Sequence, residues 1–147
     1  MDGVFLTHSA EETRALAEKL ASEAQAGDVV ALHGDLGAGK TVFAGGFAKG
    51  LGVPYPEDVV SPTYTLLQVH EGGRLPLYHF DVYRLEDEEE AAEIGLDEYL
   101  FGSGVCLIEW PSRVEGLLPE AGRIDVRISR TAGGFDDREI TIKKIQE

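Results

Sequence analysis

The chain has 147 residues, with 27 Asp or Glu against 13 Lys or Arg, so its formal net charge is −14. This length suits one domain, which we expect to span residues 1–147, and it can bury a core without disulfide staples. The acidic balance argues against a surface that grips nucleic acid directly, because neutralising backbone phosphates requires a basic face.

The sequence lacks the patterns typical of export or of a membrane anchor. It begins Met1-Asp2-Gly3, without a basic flank or an apolar leader, and no apolar run approaches membrane-spanning length. The single cysteine, Cys106, lies in the apolar run Val105–Ile108 and fits a buried thiol in a reducing compartment. We therefore expect a soluble, cytoplasmic protein with no membrane contact.

A strand and a helix are predicted first. Gly3–Thr7 has the composition of a short strand. Ser9 and Glu12 have the spacing of a capping box, which predicts a helix that begins there and ends by Gly27, with apolar residues along one face.

A glycine-rich loop follows between a predicted strand, Val29–Leu32, and a predicted helix, Val42–Leu51. Residues 34–41 read Gly-Asp-Leu-Gly-Ala-Gly-Lys-Thr. Such a loop can turn its backbone N–H groups around phosphate oxygens, and the helix N-terminus adds partial positive charge. We predict that Lys40 reaches the β- and γ-phosphates and that the Thr41 hydroxyl ligates Mg²⁺. The predicted nucleotide-binding residues are Asp35, Leu36, Gly37, Ala38, Gly39, Lys40 and Thr41.

A hairpin is predicted next. After an irregular loop over residues 52–58, the second half of Val59–Val69 alternates as a strand does. Gly72 and Gly73 predict a turn into a second strand, Leu75–Tyr83.

The rest of the chain predicts an acidic helix and three strands. Leu85–Ile94 is the helix, and its carboxylates form either a solvated face or a docking surface for a basic partner. The strands are Val105–Glu109, Ile124–Ser129 and Glu139–Ile145. We therefore predict a single α/β domain of the three-layer P-loop type. Its central sheet is mostly parallel, with antiparallel additions from the hairpin and the two C-terminal strands.

Two carboxylates stand out as candidates for nucleotide chemistry. Glu109 ends an apolar strand, and parallel strands deliver such residues beside a phosphate loop. Asp81 lies in an otherwise apolar strand, where an unpaired charge is costly, so we expect it to pair with a metal, a water network or Lys40. For each, the alternative is a strand-end carboxylate that caps the chain or faces solvent.

Four further residues are weaker candidates. Ser61 and Thr63 lie between the phosphate loop and the next strand, where nucleotide enzymes keep segments ordered by the γ-phosphate and Mg²⁺. Trp110 follows Glu109 and is either a core residue or a contact surface. His79 is interpreted as a packed strand histidine, not an acid or base.

Four blocks together resemble a known family. They are residues 34–41, Ser61-Pro62-Thr63-Tyr64-Thr65, His79-Phe80-Asp81-Val82-Tyr83-Arg84-Leu85 and Leu107-Ile108-Glu109-Trp110-Pro111. In this order they closely resemble the TsaE family, the small bacterial P-loop ATPases of tRNA threonylcarbamoyladenosine biosynthesis. The resemblance extends from the first helix to about Pro119, and the last strands match no motif.

The resemblance implies a protein that binds ATP and Mg²⁺ and hydrolyses ATP slowly when alone. Its implied partner is a heterodimer of the threonylcarbamoyl-transferase subunit and a paralogue, which modifies adenosine 37 of tRNAs that read ANN codons. ATP hydrolysis supports repeated turnover of that complex, and tRNA is met only through it.

The resemblance also implies roles for individual residues. Lys40 and the loop hold phosphates, while Thr41 and Glu109 serve the metal. Asp81 acts near the γ-phosphate or the attacking water, so Asp81, Glu109 and Lys40 form the catalytic set. Ser61 and Thr63 belong to a switch-like segment, and Trp110 fits nucleotide sensing or partner contact.

Other functions remain open at this stage. A GTPase is disfavoured because the Asn-Lys-x-Asp run that specifies guanine is absent. A small-molecule kinase needs an acceptor pocket and usually an arginine-bearing lid, and the sequence shows no pattern for either. A scaffold that only binds nucleotide is the third alternative. Arg84 and Arg113 follow the strands that carry Asp81 and Glu109, without an obvious γ-phosphate position. An arginine finger is worth about 10³–10⁵ in rate, so we expect slow hydrolysis that partners accelerate.

The residues that contact adenine are not specified by any motif. The first candidates are residues 9–13, because the first strand and helix either wall the base or only cover a sheet face. The second candidates are residues 127–130.

Overall fold

The computed structural model describes residues 1–145, so Gln146 and Glu147, the end of the predicted domain, lie outside the described residues. The strands are β1 (Gly3–Thr7), β2 (Val29–His33), β3 (Leu67–His70), β4 (Leu77–Asp81), β5 (Val105–Glu109), β6 (Arg123–Arg130) and β7 (Arg138–Lys144). The helices are α1 (Ala10–Ser22), α2 (Lys40–Gly50), α3 (Glu88–Glu93) and α4 (Leu96–Leu100), with 3-10 turns at Pro56–Asp58 and Pro111–Leu117.

The seven strands form one sheet in the order β1-β7-β6-β2-β5-β4-β3. Its four central strands, β6, β2, β5 and β4, run parallel. Strand β3 adds antiparallel to β4 at one edge, and β7 and β1 add antiparallel at the other. The predicted mixed sheet is confirmed, with one correction. Of the two C-terminal strands, β6 is parallel to β2 and only β7 is an antiparallel addition.

Helices cover both faces of the central strands, which confirms the three layers. Residues of α1 and α2, including Leu20 and Phe43, pack with Val30 of β2 on one face. Residues of α3 and α4 pack with Ala31 of β2 on the other. Strands buried on both faces are apolar at nearly every position, which explains the runs in β2 and β5.

The two helices of the first layer approach each other closely. Helix α1 begins as predicted, with the Ser9 hydroxyl accepting a hydrogen bond from the Glu12 N–H at 3.1 Å. A Cβ atom at Gly46 or Gly50 of α2 would overlap the α1 backbone. These two glycines therefore set how near α2, and the loop that precedes it, lies to α1.

Two predicted elements are longer than the observed ones. The strand predicted over Leu75–Tyr83 spans only Leu77–Asp81. The helix predicted from Leu85 begins at Glu88, because the Asp87 side chain accepts the Glu90 N–H at 3.0 Å and so caps the helix there. Within residues 1–145, no helix has both the length and the apolar character needed to span a bilayer.

Candidate functional site

The glycine-rich loop joins β2 to α2 at the centre of the parallel sheet. Gly37 (φ 78°) and Gly39 (φ 114°) adopt left-handed backbone conformations that favour glycine, and α2 begins at Lys40. The loop therefore leads directly into a helix N-terminus, an arrangement that can hold an anion.

The loop forms one wall of a cleft of about 450 Å³, a volume suited to a small-molecule ligand. Its lining brings together most of the predicted site residues, namely Leu36, Gly37, Gly39, Lys40, Thr41, Ser61, Thr63, Asp81, Glu109 and Trp110, with Val42, Tyr83 and Arg138 in addition. The predicted binding residues Asp35 and Ala38 do not line this cleft. Asp35 borders a second cavity, and Ala38 is buried behind the loop.

A hydrogen-bonded chain connects the loop to the end of β5. Thr41 Oγ1 lies 2.9 Å from Ser61 Oγ, which donates to Glu109 Oε1 at 3.0 Å. Because the Ser61 proton is used on Glu109, the Thr41 hydroxyl donates to Ser61 and keeps its lone pairs free. The hydroxyls of Thr41 and Ser61 and the carboxylate of Glu109 are thus linked by two consecutive hydrogen bonds.

This donor set fits Mg²⁺, which prefers oxygen ligands and is held in nucleotide enzymes by one or two protein groups plus phosphates. In the described part of the chain, no group of three or more His, Cys, Asp or Glu residues could hold a metal by itself. Glu109 is 1% exposed, so its carboxylate needs nearby positive charge or hydrogen-bond donors. Thr41 and Glu109 are therefore suited to a cation that arrives with phosphates.

Asp81 is 2% exposed and lies beside Glu109 on the neighbouring strand. Its Oδ2 accepts from the Thr63 hydroxyl at 2.9 Å, and its Oδ1 accepts from the Tyr83 N–H at 3.0 Å. The expected partners were a metal, water or Lys40, and the observed partners are these two donors. Each carboxylate oxygen retains a lone pair that can accept from a further ligand.

Lys40 is folded back toward its own loop. Its ammonium donates to the Gly34 carbonyl at 2.6 Å and lies 3.5 Å from the centroid of the Trp110 ring. Burial lowers the pKa of Lys40, and the carboxylates of Glu109, Asp81 and Asp35 partly offset that change. Trp110 holds a left-handed conformation (φ 60°), which is uncommon for a bulky residue and aims the ring at Lys40.

Two arginines donate hydrogen bonds to carbonyls of the loop, one of them in the candidate segment 127–130 and the other predicted by no motif. Arg138, at the start of β7, donates from Nε to the Ala38 carbonyl at 2.6 Å. Arg130, at the end of β6, donates to the Gly37 carbonyl at 2.9 Å. The residues in contact are 100 and 93 positions apart in the sequence. No local pattern indicates such a contact, and the only available signal is that both residues are arginines.

The candidate adenine regions fall at different places. Ala10 and Thr13, from residues 9–13, line a small cavity of about 110 Å³ next to Gly39 and Arg138. From residues 127–130, Arg130 contacts the loop, whereas Arg127 borders the second cavity. Both candidate regions therefore place residues beside the loop.

Arg84 and Arg113, for which the sequence suggested no γ-phosphate position, do not line the cleft. Arg84 donates to the Tyr64 carbonyl at 3.3 Å, and Arg113 donates to the Leu85 carbonyl at 3.1 Å. His79, interpreted from sequence as a packed strand histidine, is fully buried and contacts Glu109, with Nε2 2.6 Å from Oε2.

A family model and two relatives that match this chain carry the same description. A family model described as threonylcarbamoyl adenosine biosynthesis protein TsaE matches residues 7–140. The tRNA threonylcarbamoyladenosine biosynthesis protein TsaE of Bacillus subtilis is 50% identical over 139 residues, covering 95% of this chain and 84% of that protein. The protein of the same description from Treponema pallidum is 44% identical over 137 residues, covering 93% of this chain and 97% of that protein.

A solved structure is similar over almost the whole chain. The crystal structure of Bacillus subtilis YdiB superimposes with a TM-score of 0.80 at 43% identity, covering 99% of this chain and 86% of that one. The P-loop fold inferred above is therefore shared with an experimental structure. Given a family match over residues 7–140 and relatives at this identity, the chain belongs to the TsaE family of tRNA threonylcarbamoyladenosine biosynthesis proteins.

Proposed function

We propose that residues 1–147 form one cytoplasmic P-loop ATPase domain that binds ATP with Mg²⁺ and hydrolyses it slowly. Its turnover supports the complex that forms N6-threonylcarbamoyladenosine at position 37 of tRNA, a heterodimer of the threonylcarbamoyl-transferase subunit and its paralogue. The observation that carries the proposal is the connected chain from Thr41 through Ser61 to Glu109, at the mouth of the glycine loop.

In this proposal the chain supplies binding, orientation and charge. The loop N–H groups and Lys40 hold the β- and γ-phosphates, while Thr41 and Glu109 hold Mg²⁺, which would neutralise charge on those phosphates. Asp81, fixed by Thr63 and the Tyr83 N–H, uses a remaining lone pair to orient water. In this proposal the Lys40 ammonium, which donates to the Gly34 carbonyl in the structure, turns toward the phosphates when nucleotide binds.

Slow hydrolysis by the isolated protein follows from where the arginines are bonded. Arg84 and Arg113 bind carbonyls outside the cleft. Arg138 lines the cleft, but its Nε and Nη1 already donate to main-chain carbonyls of the loops. An arginine that reaches the γ-phosphate is worth about 10³–10⁵ in rate. We therefore expect a turnover below about 1 s⁻¹ for the protein alone, rising when the heterodimer is added.

Tests of this function begin with binding and products. Calorimetry with ATP and GTP, each with Mg²⁺, should show a clear preference for ATP, and inorganic phosphate should be the product. Equal binding of GTP would contradict the ATPase assignment. A phosphorylated small molecule as product would identify a kinase instead.

One variant distinguishes an ATPase from a scaffold that only binds nucleotide and does not need to hydrolyse it. Glu109→Ala should bind ATP in EDTA and lose hydrolysis. If Glu109→Ala, without hydrolysis, sustains repeated tRNA modification by the heterodimer as well as the wild type does, turnover is not required and the scaffold function is correct. A pull-down of the heterodimer with and without ATP measures the occupancy effect directly.

A further inference from the structure

His79 and Glu109 form a buried pair at the back of the cleft. Their exposed fractions are 0% and 1%, and Nε2 of His79 lies 2.6 Å from Oε2 of Glu109. The pairing follows from the sheet, because β4 and β5 are parallel neighbours with Asp81 opposite Glu109. His79, two residues before Asp81, points to the same face and reaches across to the carboxylate.

The direction of each hydrogen bond in this cluster is fixed by chemistry. An ionised carboxylate only accepts, so the imidazole donates from Nε2 to Oε2, and Ser61 donates to Oε1. Each oxygen of Glu109 therefore has its own donor. Two donors on different oxygens fix the plane of the carboxylate as well as its position.

Without His79, the Lys40 ammonium is the alternative partner for Glu109. Lys40 and Glu109 line the same cleft, and the Glu109 carboxylate partly offsets the lowering of the Lys40 pKa by burial. A carboxylate with one donor could rotate toward that ammonium, and the loop lysine would then be held away from phosphate. The imidazole opposes this pairing by satisfying Oε2 on the side of β4.

We propose that His79 is a positioning residue for Glu109: it holds the carboxylate in the orientation that faces Thr41 and keeps it from pairing with Lys40. The inference rests on the proposed function, in which Glu109 and Thr41 hold Mg²⁺. Removing an outer partner of a metal ligand typically costs about 10–100-fold in metal affinity, so the effect is measurable.

The test compares two variants that differ by one methylene. In His79→Gln the amide nitrogen lies near the position of Nε2 and can still donate to Glu109. In His79→Asn the amide is too short to reach. ADP binding is measured by calorimetry in EDTA and across a Mg²⁺ titration. We expect all proteins to bind ADP alike in EDTA, and His79→Asn to need about tenfold more Mg²⁺ for half-maximal tightening, with His79→Gln near wild type.

The results distinguish a positioning role of His79 from a role in packing alone. Wild-type Mg²⁺ dependence in folded His79→Asn overturns the inference, and so does an equal defect in folded His79→Gln, which would indicate packing alone. If the wild type itself fails to bind ADP, the proposed function fails and not this inference.

A second measurement needs no change at His79. Nitrogen-15 NMR of the wild type should place the imidazole proton on Nε2, with a proton resonance that shifts in Glu109→Gln. A proton carried on Nδ1 alone would overturn the inference even if His79→Asn does not fold.

Discussion

The ammonium of Lys40 lies 3.5 Å from the centroid of the Trp110 ring, so the loop lysine and the only tryptophan of the chain are in contact. A cation over an indole face is stabilised by the ring quadrupole, by about 0.5–2 kcal/mol. The contact joins the phosphate loop to the segment that follows Glu109, and it gives the site an internal optical reporter.

Trp110 emission should therefore report where Lys40 is. We expect the emission to shift when ADP draws Lys40 to phosphate, and Lys40→Met without nucleotide to be displaced in the same direction. Lys49→Met is the control, since Lys49 is exposed at the far end of α2. A Lys40→Met spectrum identical to that of the free wild type would show that the contact does not form in solution.

Arg138→Ala should weaken nucleotide binding. The guanidinium holds the Ala38 carbonyl outward, and losing a charge-assisted hydrogen bond costs about 1.5–3 kcal/mol, or roughly tenfold or more in Kd. Calorimetry with ADP measures the change. Lys143→Ala removes one positive charge from an exposed position on the same strand, so a similar loss there would show that only net charge matters.

Gly46→Ala should destabilise the fold although alanine favours helices. Its Cβ would overlap the Arg14 carbonyl of α1, and overpacking of this kind costs about 1–3 kcal/mol. Gly45→Ala is the matched control, because its Cβ would meet only Pro56 O at 3.5 Å, and it should gain about 0.5–1 kcal/mol. Urea unfolding compares them, and equal stability of the two variants would contradict the close approach of the helices.

His33 should make stability fall with acid. Burial first, and then the Arg127 guanidinium, lower the pKa of His33 below 6.5, while Asp125 and Glu115 oppose the change. The unfolded chain then binds the proton more tightly, so stability is full above pH 6.5 and is lost as the pH falls through the lower folded pKa.

Urea midpoints between about pH 8 and about pH 5 measure this loss in the wild type and in His33→Gln. The carboxylates titrate in both proteins, so their difference isolates the histidine. Parallel pH curves for the two proteins would show that His33 is not responsible.

Elements with a local pattern were predictable from the sequence. The loop carries its own motif, the Ser9 cap has a spacing rule, and β2 and β5 are continuous apolar runs. The helix was predicted to begin at Leu85, but Leu85 packs on the sheet face that α3 and α4 cover, and Asp87 supplies the cap instead. The apolar character of Leu85 alone could not show whether it belongs to the helix or packs in the core before the helix begins.

Contacts across long sequence separations were not predictable in this way. The motifs brought Thr41, Ser61 and Glu109 into one candidate site, but nothing local specified that Ser61 bridges the other two. The role of Arg138 depends on where β7 lies, which the sequence pattern leaves open. His79 was interpreted as a packed residue, because strand alternation indicates that it is buried but does not indicate that Glu109 is its partner.

The order of the sheet has a consequence for synthesis. Strand β1 is synthesised before the other six described strands, yet its partner is β7, the last of the seven. Until β7 has been synthesised, β1 lacks its partner strand, and the glycine loop lacks Arg138, which binds the Ala38 carbonyl. A nascent chain should therefore reach full nucleotide affinity only after β7 has been made and has paired with β1 and β6.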